Sequence, residues 1–226
     1  MNSLKKFLIE NGASDVGFAD LSGIATDHLR SGVAIILRLP EEIIRSIADG
    51  PNMDYYNLYF EMNDKLNVLA KLGAQFIRDN GYEAIAQTTG YVKEIGNYRT
   101  QLPHKTVATL AGIGWIGKSA LLVTKKYGSA VRLTSILTDM PLDYGVPVTK
   151  SMCPRECYIC MNACPGKAIS GKLWDQTMDR NEFYDPLKCR EKALQLSKER
   201  MNKEITLCGK CIEVCPYTRK YINRQG

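Results

Sequence analysis

The chain has 226 residues, of which 45% are hydrophobic and 24% charged, a balance typical of globular proteins and unlike that of disordered or fibrous ones. This length suits one or two domains, each with a buried core. The formal net charge is +6, from 30 Lys and Arg residues against 24 Asp and Glu residues. Most of the positive excess lies after residue 150, in the same segment as all eight cysteines.

The N-terminal sequence MNSLKKFLIENGASD does not resemble an export signal. Its short apolar stretch is interrupted by Glu10, Asn11 and Gly12, and it has no small-residue cleavage site. No apolar run in the chain approaches the roughly 18 to 20 residues that span a bilayer. We therefore expect a cytoplasmic protein that has no membrane partner.

Helices and strands alternate in the first 150 residues. Ser3 caps an amphipathic helix that ends at Gly12, and residues 33–37 (VAIIL) predict a buried strand. A long helix is predicted over about 54–80, followed by a strand over 83–89. This order favours an α/β fold, with α+β as the alternative, built on a mixed sheet with helices.

A hairpin is predicted after these elements. Residues 120–124 (ALLVT) and 130–140 (AVRLTSILTDM) are both rich in β-formers, and Lys125, Lys126, Tyr127 and Gly128 lie between them as a turn.

The cysteines form two spaced groups. The first reads C-x3-C-x2-C-x3-C-P over 153–165, and the second is a single cysteine at 189 followed by C-x2-C-x3-C-P over 208–216. Two C-x2-C-x3-C-P runs are typical of proteins that hold two 4Fe-4S clusters, in which the cysteine before proline ligates the other cluster. That rule assigns one cluster to Cys153, Cys157, Cys160 and Cys215. The other takes Cys164, Cys208, Cys211 and, by elimination, Cys189.

Three other interpretations of these cysteines remain open. Disulfides would also give an even count, but they are rare in a cytosolic chain. Two four-cysteine zinc sites fit the count, although the prolines after Cys164 and Cys215 are not typical of zinc ribbons. Cys189, within a helical segment that starts at Pro186, could instead be a buried cysteine without a ligand role.

The cysteine distribution also suggests a domain boundary. No cysteine precedes Cys153, so we predict an N-terminal α/β domain over 1–150 with a cofactor or substrate site, and a ferredoxin-like two-cluster domain over 151–226. Because ligating thiolates are negative, we interpret the basic excess of the second domain as counter-charge and not as a phosphate-binding surface.

A glycine-rich turn lies in the first domain. Gly112, Gly114 and Gly117 would allow a close backbone approach, and Lys118 could face an anionic group. We therefore predict a cofactor site at these residues and Trp115, although the turn could simply pack Trp115. His104 and Lys105 form a second candidate site, since His104 is one of two histidines and titrates near neutrality. The alternative is a solvated helix start.

Residues 112–122 (GIGWIGKSALL), together with the cysteine pattern, resemble the epoxyqueuosine reductase family and, more distantly, the cobalamin-dependent reductive dehalogenases. The resemblance implies that the N-terminal domain binds cobalamin and that the clusters supply the electrons that form Co(I). It implies an oxidoreductase, with an electron donor such as a ferredoxin or flavodoxin and an unknown small-molecule substrate. A carrier that only transfers electrons to a partner protein is the second hypothesis.

The resemblance also suggests how this chain departs from the family. An ungapped alignment on AGIGWIGK places Tyr98 where the reductases have a proton-donating aspartate, with Glu94 nearby as an alternative donor. It places His104 and Lys105 where the family has Glu-Arg. The C-terminal helical repeats with which the family holds tRNA do not follow Pro216. We therefore expect a short paralogue that does not use tRNA and reduces epoxyqueuosine poorly.

Overall fold

The computed structural model describes residues 3–24 and 27–223. The helices are α1 (Ser3–Glu10), α2 (Glu41–Ser46), α3 (Met53–Asp79), α4 (His104–Leu110), α5 (Ile159–Ala163), α6 (Pro186–Met201), α7 (Lys210–Glu213) and α8 (Pro216–Ile222). The strands are β1 (Asp15–Asp20), β2 (Ser31–Arg38), β3 (Ala84–Ala86), β4 (Gly114–Ile116), β5 (Leu122–Thr124) and β6 (Val131–Thr138). Within the described ranges, no helix has both the length and the apolar character needed to cross a membrane.

The main sheet has four strands in the order β1-β2-β6-β3. β1 pairs with β2 in antiparallel fashion, with Asp15 opposite Ile36, and β3 pairs with β6 in the same way, with Ala84 opposite Thr138. β2 is buried over seven of its eight residues, which explains its continuous apolar sequence. The predicted α/β class is confirmed, with helices and a sheet in one chain.

The predicted hairpin is wrong, although both of its strands exist. β5 pairs with β4 in a separate two-stranded sheet, while β6 lies between β2 and β3. The turn closes on itself, because the amides of Thr124 and Gly128 each donate to the other's carbonyl, at 2.8 and 3.0 Å. β6 therefore does not pair with β5, and its neighbours are β2 and β3. The strand predicted over 83–89 is also shorter, since only Ala84–Ala86 pair with β6.

Two compact units make up the chain, and neither is a single stretch of sequence. The first contains the residues up to Arg38, Glu61–Gly114 and Arg132–Val148, which include β1, β2, β3, α1 and α4. The second contains Leu39–Phe60, Trp115–Val131 and the residues from Thr149 onward, which include all eight cysteines. The functional division of the chain at residue 150 stays a prediction.

Candidate iron-sulfur centre

The second unit presents its cysteines on short helices and their ends. Cys160 lies in α5 and Cys164 ends it, while Cys211 lies in α7 and Cys215 precedes α8. Pro216 occupies the first turn of α8, where proline suits the helix because that position lacks an intrahelical acceptor. All eight cysteines are free thiols; seven are partly buried and Cys215 is buried. Pro216 therefore marks an abrupt change from cysteine to helix, whereas Pro165 follows the end of α5 and lies in a turn.

Cys189 is placed by a well-defined helix start. Asp185 caps α6, and its side chain accepts hydrogen bonds from the amides of Leu187 and Lys188, at 3.0 and 3.1 Å. Cys189 lies in the first turn that follows. The Tyr184 hydroxyl donates a hydrogen bond to the Cys189 thiol, and burial together with the nearby thiolates raises the pKa of Tyr184. No sequence pattern predicted this tyrosine contact.

The first group of neighbouring thiols includes a cysteine from the far end of the chain. Burial raises the pKa of Cys160 to about 11, and the charges of Cys153, Cys215 and Cys157 contribute to this rise. All four of these cysteines line one small cavity of about 30 Å³. Cys215 is therefore a neighbour of the first cysteine run, although it is distant in sequence.

The second group combines Cys164 with the C-terminal cysteines. Burial raises the pKa of Cys208, and the thiolates that add to this effect are Cys189 and Cys164. Burial also raises the pKa of Cys211, which is close to Cys208, Cys189, Cys160 and Cys164. Since Cys211 also approaches Cys160, the two groups adjoin.

Eight reduced thiols in two groups of four fit the donor set of two cubane clusters, because each cubane takes four thiolates. Cysteine binds iron as the thiolate, so bound iron would replace the thiol protons. The crossed ligand sets predicted from the sequence have the same membership as these groups, and we propose them as the ligands. Among residues 3–24 and 27–223, no three or more His, Cys, Asp or Glu side chains form a site for a single metal ion.

Three of the residues predicted to contact a cofactor lie beside the first cysteine group. Trp115 Nε1 donates to the Sγ of Cys153 at 3.4 Å. A Cβ on Gly117 would lie 2.7 Å from the Val123 side chain and 3.6 Å from the Cys153 sulfur, so glycine is needed for this approach. Lys118 is only 2% exposed and lines the same cavity. Trp115, Gly117 and Lys118 therefore lie next to the loop that carries Cys153 and Cys157.

The other two residues predicted to bind a cofactor, Gly112 and Gly114, belong to the first unit. Gly112 has φ +72°, and a Cβ there would lie 2.6 Å from the Val146 carbonyl oxygen, so the close approach it permits is to the chain itself. Gly112 also lines an open cavity of about 480 Å³, whose charged lining residues are Lys5, Asp15 and Asp143. That volume is in the range of small-molecule sites.

His104 is partly buried at the start of α4, and its Nδ1 is 2.9 Å from the Ser135 hydroxyl. Burial, with a contribution from the Arg132 charge, lowers the pKa of His104 to about 4. The imidazole is therefore neutral at neutral pH, which suits a hydrogen-bonding role and not a cationic one. Lys105 is the next residue of α4.

Tyr98, the third catalytic candidate, lies on a short exposed loop. Its side chain is 41% exposed, its φ is +55°, and its amide donates to Glu94 Oε1 at 3.3 Å. Tyr98 and Glu94 are therefore neighbours, as expected if either were to donate a proton. Their catalytic role stays a prediction.

Residues 153–218 match the family model of the 4Fe-4S double cluster binding domain. The chain therefore contains a double-cluster domain, in agreement with the cysteine spacing and against the zinc and disulfide alternatives.

Curated relatives match the chain over a longer stretch. The epoxyqueuosine reductase of Cyclobacterium marinum is 35% identical over 114 residues, which cover 50% of this chain and 36% of the relative. That of Aliivibrio fischeri is 30% identical over 176 residues, which cover 75% of this chain and 44% of the relative. The chain is therefore similar to epoxyqueuosine reductases. It spans less than half the length of these two relatives.

Two solved structures share the fold of this chain. A catabolic reductive dehalogenase in complex with 3-bromo-4-hydroxybenzoic acid superposes with a TM-score of 0.73 at 19% identity, over 96% of this chain and 31% of the other. An epoxyqueuosine reductase superposes with a TM-score of 0.59 at 21% identity, over 96% of this chain and 64% of the other. The fold thus extends through both units.

The double-cluster domain predicts a defined metal content. Protein purified without oxygen should be brown and contain about eight iron and eight acid-labile sulfide per chain, since each cubane holds four of each. Iron and sulfide analysis together with the visible spectrum measures this. Stoichiometric zinc without sulfide would contradict it.

Proposed function

We propose that this protein is an iron-sulfur reductase, whose two clusters pass single electrons to an acceptor bound by the first unit. The observation that carries the proposal is the pair of adjoining cysteine groups inside a double-cluster domain, which suits electron transfer between clusters. The similarity to reductases at both sequence and fold level supports an enzyme that uses these electrons. The substrate we propose is a small molecule.

Cobalamin is the acceptor that the relatives suggest. One similar structure, of a reductive dehalogenase, suggests a mechanism for B12-dependent dehalogenation; it superposes with a TM-score of 0.66 and is 15% identical. In this chain, the 480 Å³ cavity and its Gly112 are the features that suit a bound small molecule. Trp115, Gly117 and Lys118 contact the cysteine loop, and their part in a cofactor site stays a prediction. The corrinoid proposal therefore rests on the fold. A bound cobalamin would supply a Co(I) nucleophile.

The partner that supplies electrons is proposed to be a small redox protein such as a ferredoxin or flavodoxin. One similar epoxyqueuosine reductase structure contains a tRNA-Tyr stem loop. For the present chain, the expectation that tRNA is not a substrate stays a prediction. It rests on the tyrosine at position 98, where the family has a proton-donating aspartate, because a phenol is a much weaker acid than a carboxylic acid.

A second candidate function is electron transfer to a partner protein without a substrate. It is favoured by the surface of the first cysteine run, where Tyr158 and Ile159 lie between Cys157 and Cys160 and are 42% and 47% exposed. Exposed apolar side chains beside a cluster suit a short-lived docking contact with a redox partner.

Binding of cob(II)alamin separates the two candidates. If the protein is a corrinoid reductase, equilibrium dialysis of the cluster-loaded protein should show about one cob(II)alamin per chain at micromolar concentration. The matched variant Gly112→Ala should weaken this binding, because a side chain at φ +72° would displace the cavity lining. No binding at high micromolar cob(II)alamin would contradict the corrinoid proposal and favour the carrier.

A further inference from the structure

Lys118 is an unusual residue to find beside a cluster site. Its side chain is 2% exposed, and its Nζ donates hydrogen bonds to the carbonyl oxygens of Arg155 and Cys157, at 2.7 and 3.0 Å. The ammonium also lies 4.5 Å from the centre of the Tyr158 ring. All these acceptors are neutral. Lys118 also lines the cavity of the first cysteine group, and its ammonium lies beside the backbone of Cys157, one of those four cysteines.

The cations beside the second cysteine group, Lys210 and Arg219, share one buried carboxylate and are partly exposed. Lys210 Nζ lies 3.0 Å from the carboxylate of Glu213 and donates to the Ala48 carbonyl at 2.6 Å. Because the Lys210 and Arg219 side chains are 29% and 45% exposed, water screens their charges, whereas Lys118 is buried. The two groups therefore differ in the buried positive charge that each one meets.

Hydrogen-bond donors to the cysteine sulfurs are found in both groups. Trp115 donates to the sulfur of Cys153 in the first group. In the second group, the Tyr184 hydroxyl donates to Cys189 and the Ala168 amide donates to Cys164 at 3.4 Å. Both groups thus receive donors, which stabilise the charge on thiolate sulfur. The burial of its nearby cation, Lys118, is the feature that distinguishes the first group.

We propose that Lys118 makes the cluster of Cys153, Cys157, Cys160 and Cys215 the electron-accepting member of the pair. Reduction of a cubane adds one electron and therefore one negative charge, which a buried cation stabilises more strongly than an exposed one does. The first cluster then has the higher reduction potential. An electron that a low-potential one-electron donor gives to either cluster resides on the first. Lys118 is a positioning residue in this scheme, since it acts through the cluster.

The inference rests on the ligand sets and the reductase proposed above, but it does not need a corrinoid. It is tested on cluster-loaded protein without cobalamin, by reductive titration with dithionite followed by electron paramagnetic resonance. Two potentials should be resolved in the wild-type protein. The signal that is lost in Cys215→Ala identifies the first cluster, which should be the one reduced first.

Two variants of Lys118 separate its charge from its packing. Lys118→Met keeps the length of the side chain without the charge, and should lower the potential of the first cluster by an amount equivalent to tenfold or more, about 59 mV per tenfold for one electron. The potential of the second cluster should change much less. Lys118→Arg keeps the charge, so the potential of the first cluster should stay close to its wild-type value. A purely structural role of Lys118 would not explain this difference between the two variants.

Equal shifts of both potentials in Lys118→Met, or no shift in either, would overturn the proposal. If Lys118→Met loses its cluster, the wild-type titration decides alone, because a first cluster that is reduced second contradicts the proposal. A correct order of potentials without cobalamin binding would leave the inference intact and reject only the corrinoid reductase.

Discussion

Replacing Cys215 by alanine should remove the cluster of Cys153, Cys157 and Cys160 and spare the cluster that is closest in sequence to Cys215. The reason is the crossed arrangement, in which Cys215 belongs to the thiols around Cys160 while Cys164 belongs to those around Cys208. A cubane that loses one thiolate ligand exposes an iron and becomes labile. Iron should fall from about eight to about four per chain.

Cys164→Ala is the matched control, because it removes the other cysteine that precedes a proline. It should remove the second cluster and leave the signals of the first. Cys189→Ala should produce the same spectrum as Cys164→Ala, which also tests whether Cys189 is a ligand. Loss of the sequence-local cluster in Cys215→Ala and in Cys164→Ala would show that the ligands are not crossed.

Removing both cations from Glu213 should destabilise the second unit strongly. Glu213 lies in α7 between Cys211 and Cys215, and its carboxylate is only 2% exposed. It accepts from Lys210 at 3.0 Å and from Arg219. In the double variant Lys210→Met/Arg219→Met, the carboxylate would remain buried without a counter-charge, which typically costs about 3 to 5 kcal/mol.

For a chain of this size, such a loss corresponds to a fall of about 6 to 20 °C in the temperature of unfolding. Anaerobic loss of cluster absorbance at one fixed scan rate measures it, since unfolding with cluster loss is irreversible. Glu213→Gln should have a smaller effect, because Lys210 and Arg219 are partly exposed and can turn to water.

Lys65→Met provides the control for an exposed pair. Lys65 and Glu61 also form an ion pair, at 2.5 Å, but both side chains are more than half exposed. Its removal should cost less than about 1 kcal/mol. A double variant at Lys210 and Arg219 that melts like Lys65→Met would contradict the importance of the buried carboxylate.

The sequence by itself determined the cluster chemistry, because ligand spacing is a local property. C-x2-C-x3-C-P places three thiols within a few residues, and these cysteines do lie on or beside the short helices α5 and α7. The same applies to α6, where Asp185 and Pro186 define the helix start that positions Cys189. The continuous apolar run of β2 likewise predicted a buried strand.

The tertiary structure alone decided how distant segments combine. The sequence suggested that residues 112–118 serve one cofactor site, but the chain divides them between two units after Gly114, and Trp115 and Lys118 contact the cysteine loop. It also suggested that β5 and β6 pair, whereas β6 pairs with β3. Both outcomes depend on competition among long-range partners for burial and hydrogen bonds, which short-range spacing does not encode.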